Sequence, residues 1–315
     1  MLRTRTSRRL LLALALYLAF CTIAGVFVAD GTLHPPRRPL TDADTADARQ
    51  SAHALGAELE DVSIAAPDGA TLKAWLIRPH HPNGDSVLLL HGLGDNRVGM
   101  MGYAQLLLAH QYTVLLPDAR AHGVSGGSLA TYGFLEQNDI HQWIDFLTKQ
   151  NPPMQDSLAD SHHCIFAFAE SMGAAQLLQS LDTHPNLCAV AVESPFSTFR
   201  EIAYDRMGQP FHLGPWVGRT LLRPLVEAAL LRARWKYHLN LSTLSPEDSV
   251  AATGIPVLLI HGQIDSNIPV RHSEAIHTRA PNTQLWEVPG ADHCGAISTA
   301  PQEFERRLLT WFQTR

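Results

Sequence analysis

The sequence predicts an α/β fold with a mainly parallel sheet, and two features carry that expectation. Short apolar runs without polar alternation recur along the chain, SVLLLHG, YTVLLPD, CIFAFA, CAVAVES and IPVLLIHG, as strands covered on both faces do. The segments between them are long enough for the crossover helices that parallel neighbours require. In such sheets ligands bind beyond the carboxyl ends of the strands, so the residues after each run are where chemistry is to be sought.

The N-terminus comes first. Arg3, Arg5, Arg8 and Arg9 precede an uncharged apolar run, Leu10–Ala29, about the ~20 residues needed to cross a bilayer. Residues 1–29 therefore predict a signal anchor with a cytoplasmic N-terminus and the remainder on the extracytoplasmic side. The run exceeds the ~7–15 apolar residues of a cleaved signal peptide. It nevertheless ends in Val-x-Ala, so cleavage after Ala29, giving a secreted or periplasmic product, is the alternative. Bulky Phe20 disfavours lipidation at Cys21. The whole chain of 315 residues has a net charge of −6. Without the four arginines the rest stands at −10, a poor match for nucleic acid.

Residues 30–60 are rich in Pro, Asp and Ala and include HPPRRPL. They are expected to be a linker, with Gly31–Leu40 as a tether and a short helix over 48–57. The main domain is expected over 61–315. It opens with VSIAA, a PDG turn and TLKAWLI, whose alternation fits a half-buried hairpin. Helices are expected over 99–110 and in FLEQNDIHQWIDFLTKQ, where Phe134, Leu135, Ile140, Trp143, Ile144 and Leu147 recur at helical spacing. From Ser194 to Gly254 the strand rhythm stops. This aromatic stretch, with Phe196, Phe199, Tyr204, Phe211, Trp216, Trp235 and Tyr237, is expected to be a helical insertion over 196–250. Cys21, Cys164, Cys188 and Cys294 are expected to be free thiols, although Cys164 and Cys188 both stand near strand starts and export permits disulfides. No Cys or His spacing suggests a metal.

The strand ends are informative. The run SVLLL is followed by His91-Gly92-Leu93-Gly94-Asp95, and CIFAFA by Glu170-Ser171-Met172-Gly173. IPVLLI leads into His261-Gly262-Gln263-Ile264-Asp265, and QLWEVPG into Ala291-Asp292-His293-Cys294-Gly295. Ala169 and Gly173 supply the small residues a sharp strand-to-helix turn needs two positions either side of Ser171. Serine, acid and histidine then follow in order, each just past a strand.

On LLLHGLGDN, LPDARAHGVSGG, AESMG, IPVLLIHGQID and GADHCG the sequence resembles α/β-hydrolase-fold serine hydrolases, close to the serine-aminopeptidase and lysophospholipase-like branch. The resemblance spans roughly residues 60–313. It departs from the usual elbow only in having Ala169 where glycine is common. The resemblance implies a hydrolase without a cofactor, acting on a small-molecule ester or acyl lipid, with Ser171 as nucleophile, His293 as base and Asp265 orienting His293. The backbone N–H groups of Leu93 and Met172 are implied as the oxyanion hole, and the insertion as a cap after the sixth strand. Glu193 and Asp292 compete for the acid. His91 and the Asp118-x-Arg120-x-His122-Gly123 loop read as scaffold. A peptidase and an inactive binding protein of the same fold are the alternatives; a dehalogenase, which uses Asp as nucleophile, is disfavoured by Ser171.

Overall fold

The computed structural model describes residues 2–150, 163–183 and 186–314. Its elements are α1 (Leu2–Leu33), α2 (Asp42–Ala54), β1 (Ala57–Ala65), β2 (Thr71–Pro79), β3 (Ser86–Leu90), α3 (Met101–Ala109), β4 (Thr113–Pro117), α4 (Glu136–Gln150), β5 (Ile165–Glu170) and α5 (Ser171–Gln179). There follow β6 (Ala189–Glu193), α6 (Phe199–Gly208), α7 (Pro215–Arg219), α8 (Arg223–Tyr237), α9 (Pro246–Ala252), β7 (Val257–Gly262), α10 (Arg271–Arg279), β8 (Thr283–Val288), α11 (Ala296–Thr299) and α12 (Pro301–Gln313). Two compact units form, one from Pro35–Ser197 with Ser245–Arg315, the other from Met1–His34 with Thr198–Leu244.

The larger unit is built on an eight-stranded sheet of order β1-β2-β4-β3-β5-β6-β7-β8. β1 and β2 pair antiparallel from Ala57↔Pro79 to Ala65↔Thr71, closed by the expected turn at Pro67-Asp68-Gly69, and β2 runs antiparallel to β4. All later pairings are parallel. Alternate residues of the central strands face opposite layers. Val87, Leu89, Phe166 and Phe168 join a core closed by α2, α3 and α12, while Leu88, Leu90, Ala167 and Val192 join a second core closed by α4, α5 and α10. Both faces are therefore dry, which is why the strands read as unbroken apolar runs.

Three sequence expectations meet a different outcome here. The linker region contains α2, which starts before residue 48 because Thr41 and Asp44 form a capping box, each side chain accepting the other's backbone N–H. The cysteines nearest the strand starts are not free: Cys164 and Cys188 form a disulfide, with Cα atoms 5.7 Å apart. β5 and β6 are adjacent and in register from Phe166↔Ala189, so residues just before both strands fall within bonding reach. Closing a 24-residue separation contributes roughly 3 kcal/mol in the chain-entropy account. Cys21 and Cys294 are free.

The smaller unit holds the third difference. The N-terminal helix is long and apolar enough to cross a membrane, but it does not stop at Ala29; it continues to Leu33. Residues 5–16 are exposed all round, whereas Cys21, Gly25, Ala29 and Leu33 form a buried stripe at i, i+4 spacing. That stripe packs on α8. A Cβ on Gly25 would lie 2.6 Å from the Leu225 carbonyl oxygen and 2.8 Å from Ala228 Cβ, so only glycine allows this approach. At the far end Asp30 accepts from Arg232 and Lys236, each at 3.3 Å, and from Tyr237 Oη at 2.8 Å. His34 meets the Tyr237 ring edge-on.

Candidate active site

Because β3, β5, β6, β7 and β8 run parallel and side by side, their carboxyl ends share one edge of the sheet. This brings the four informative segments of the sequence together. Ser171 is the first residue of α5 and has φ +51°, a strained value for a residue with a Cβ. The strain turns the side chain out between strand and helix. Gly173 is required beneath it, since a Cβ there would lie 2.6 Å from the His91 carbonyl oxygen and 2.8 Å from that of Leu90. Ala169 is fully buried in register with Leu90 and Val192, so its methyl group fits where the usual elbow has glycine.

Ser171 Oγ lies 2.9 Å from His293 Nε2, and His293 Nδ1 lies 2.9 Å and 3.1 Å from the two oxygens of Asp265. With Nδ1–H donating to the carboxylate, Nε2 is free to accept the serine proton. Asp265 itself is heavily held. Its oxygens accept from Ser194 Oγ at 2.7 Å and from the Asn267 and Ile268 backbone N–H groups at 2.9 Å and 2.7 Å. His261 Nε2 lies 3.3 Å away and also meets the Ile268 carbonyl at 2.8 Å. Burial pushes the Asp265 carboxyl up, but the hydrogen bonds from His261 and His293 outweigh it and hold the group far below the usual carboxylate range. It stays charged throughout the range in which histidine titrates.

The competing acids have other partners. Asp292 accepts from the backbone N–H and hydroxyl of Ser266 and from the His293 backbone N–H, so it fixes the loop rather than the imidazole. Glu193 accepts from the Ala296 N–H at 2.8 Å. The HGLG turn lies against the serine: the position of a Cβ on Gly92 is 3.3 Å from Ser171 Cβ and 3.8 Å from Ser171 Oγ. His91 donates from Nδ1 to the Gly92 carbonyl at 2.7 Å and accepts the Ala119 N–H at Nε2, at 3.0 Å. Burial, then the neighbouring His122, lowers its pKa to about 4, so it is a neutral brace. Asp118 takes the Arg97 N–H, the Arg97 guanidinium and the Val124 N–H at 2.8–2.9 Å. Arg120 forms a fork with Asp139, both bonds 2.7 Å. This loop is scaffold, as its sequence suggests.

Two groups at the site escape the sequence reading. Ser194 has φ +52° and donates to Asp265; only its position directly after β6 could have drawn attention. Tyr103 on α3 places its hydroxyl 3.2 Å from Glu170 Oε2 and 3.4 Å from Glu193 Oε2. Burial is the largest cause that raises both carboxyls, each to about 7. Among the described residues no group of three or more His, Cys, Asp or Glu side chains is arranged to hold a metal ion.

The model of the alpha/beta hydrolase family matches residues 87–307, from β3 to α12. The chain belongs to this family. It is 29% identical over 229 residues to the uncharacterized protein YqkD of Bacillus subtilis, covering 70% of this chain and 69% of that one. An esterase of Pyrococcus furiosus superposes with a TM-score of 0.69 at 24% identity, covering 90% of this chain and 98% of its own. A bacterial membrane phospholipase A superposes with a TM-score of 0.56 at 15% identity and covers 100% of this chain and 99% of its own. At these identities the solved structures speak for the fold. Family and fold together make the chain a hydrolase.

Proposed function

We propose that this protein is a serine hydrolase that cleaves an ester or acyl-lipid bond through an acyl-enzyme intermediate. The observation that carries the reading is the chain of hydrogen bonds from Ser171 Oγ to His293 Nε2 and from His293 Nδ1 to Asp265, 2.9 Å at each step, set at a strained elbow. His293 takes the Ser171 proton as Oγ attacks the carbonyl carbon. Asp265 holds the Nδ1–H tautomer and stabilises the imidazolium. The oxyanion forms beside the Leu93 and Met172 backbone N–H groups, which are the proposed hole. His293 then protonates the departing alkoxide, and water repeats the sequence in reverse to free the acid.

The ester class is supported by two neighbours of the fold, an esterase and a membrane phospholipase. The Cys164–Cys188 bond and the apolar α1 support a membrane-anchored enzyme with its catalytic unit on the oxidising, extracytoplasmic side. In this reading the helical insertion sets acyl-chain preference. The test combines a fluorophosphonate probe with p-nitrophenyl esters from acetate to palmitate and aminoacyl p-nitroanilides. Labelling and ester turnover that both vanish in Ser171→Ala, by at least about 1000-fold, are expected. Folded wild-type protein that takes up no probe would sink the proposal, and faster turnover of the anilides would make it a peptidase.

A further inference from the structure

Beneath the Ser171 elbow lies a polar cluster that the proton path from Ser171 to Asp265 does not use. Glu170 and Glu193 are paired residues at the ends of neighbouring parallel strands, and the Tyr103 hydroxyl sits between one oxygen of each. A hydroxyl has one proton to donate. Two carboxylates about one hydroxyl leave the second contact unsatisfied and place two negative charges together in a buried site. Both contacts are satisfied at once only when one carboxyl is protonated: it donates to Tyr103 Oη, which donates to the other.

The remaining oxygens reach different corners of the site. Glu170 faces the backbone amide of Gly92, in the turn that carries Leu93. Glu193 takes the Ala296 N–H, three residues beyond His293. We infer that Glu170, Tyr103 and Glu193 are positioning residues, sharing one proton, that tie the HGLG turn and the histidine loop to the nucleophile elbow. The charged and titratable groups around them are Asp95, His293, Asp265 and Cys294. The carboxyls hold their proton up to about 7. Raising the pH beyond that removes it, leaves like charges facing each other and loosens both loops. The inference rests on the serine-hydrolase reading above.

The experiment follows p-nitrophenyl butyrate hydrolysis by the full chain from about pH 5 to pH 9, with the infrared carbonyl stretch of protonated carboxyls as a readout independent of activity. Wild type should fall in rate on an alkaline limb above about pH 7, where the shared proton is lost. In Glu170→Gln and Glu193→Gln an amide N–H replaces the shared proton, so the rate at high pH relative to neutral should increase about tenfold over wild type. Tyr103→Phe should lower kcat by about 10- to 100-fold with KM unchanged, because a misplacement of about 1 Å costs up to ~100-fold. The carbonyl band should be present in wild type at about pH 6, below the range where the pair titrates, and absent from both glutamine variants. No such band in wild type, or glutamine variants that keep the wild-type alkaline limb, would overturn the inference. Activity that survives Ser171→Ala overturns the serine-hydrolase reading instead, and the band then still decides whether the proton is shared. Should the variants not fold, the wild-type band and limb decide.

Discussion

Asp265 receives hydrogen bonds from Ser194, His293, Asn267 and Ile268 and lies beside His261. A carboxylate so held has little rotational freedom, and His293 inherits that order. Replacing it with asparagine keeps the shape but offers an N–H where His293 Nδ1–H needs an acceptor, favouring the wrong tautomer. Asp265→Asn should therefore lower kcat by about 10,000-fold with the fold retained, measured by steady-state kinetics beside thermal unfolding. Loss below tenfold would mean that Glu193 or Asp292 orients the imidazole. The lowered pKa of Asp265 also fixes the sign of its linkage to stability. Its contribution is fully present above the unfolded value of about 3.9 and is lost as pH falls toward the folded value. Glu170 and Glu193, raised to about 7, act in the opposite sense. Their contribution is full below about 4.3 and is lost as pH rises through about 7. At this scale the sequence was legible where a residue type has few other uses after a strand, as with Ser171, Asp265 and His293. Tyr103 was not legible, because a tyrosine on a helix reads as core until the fold brings it under Glu170 and Glu193.

Strands were the most readable elements, since burial on both faces writes an unbroken apolar run that nothing else in the chain imitates. Helix ends were less readable. α2 is set by the Thr41–Asp44 box, a local signal inside a region whose composition suggests a linker. α1 is the instructive case, because an apolar run read alone describes a membrane anchor and says nothing of a partner. The pairing with α8 is written in Gly25, Asp30 and the buried i, i+4 stripe, which become meaningful only beside Leu225, Ala228 and Arg232. Ala29 is buried, and Asp30 directly after it is ion-paired to Arg232 and Lys236. A helix used in this way should be retained. The intact mass of protein extracted from membranes should include residues 1–29, and Gly25→Leu, which overpacks the contact at a cost of roughly 1–3 kcal/mol, should speed proteolysis within 198–244 at least severalfold. A mature N-terminus at Asp30, or a Gly25→Leu chain as resistant as wild type, would show that α1 and α8 are not a stable pair.

For the molecule as a whole, the charge is divided as sharply as the fold. Residues 1–34 hold four arginines against Asp30 alone, and residues 198–244 hold seven Lys and Arg against three Asp and Glu, so the smaller unit stands at +7 and the rest of the chain at −13 within the total of −6. None of this follows from the overall charge, which is why composition alone suggested only a mildly acidic protein. The positive unit also exposes Leu213, Trp216, Leu221, Leu231 and Trp235, and it carries the helix suited to a bilayer. Apolar side chains with tryptophan among basic residues are the pattern of a surface that meets lipid headgroups, and each basic residue near an anionic leaflet contributes about 1 kcal/mol, screened by salt. Full-length chain diluted from detergent into limiting vesicles should thus favour phosphatidylcholine containing phosphatidylglycerol over phosphatidylcholine alone by at least about tenfold. Cosedimentation at rising salt is the measurement, and most of the preference should be gone by about 1 M, where the Debye length is ~3 Å. Equal partition into both vesicles at every salt concentration would mean that α1 anchors the protein by itself and that the positive insertion faces something other than lipid.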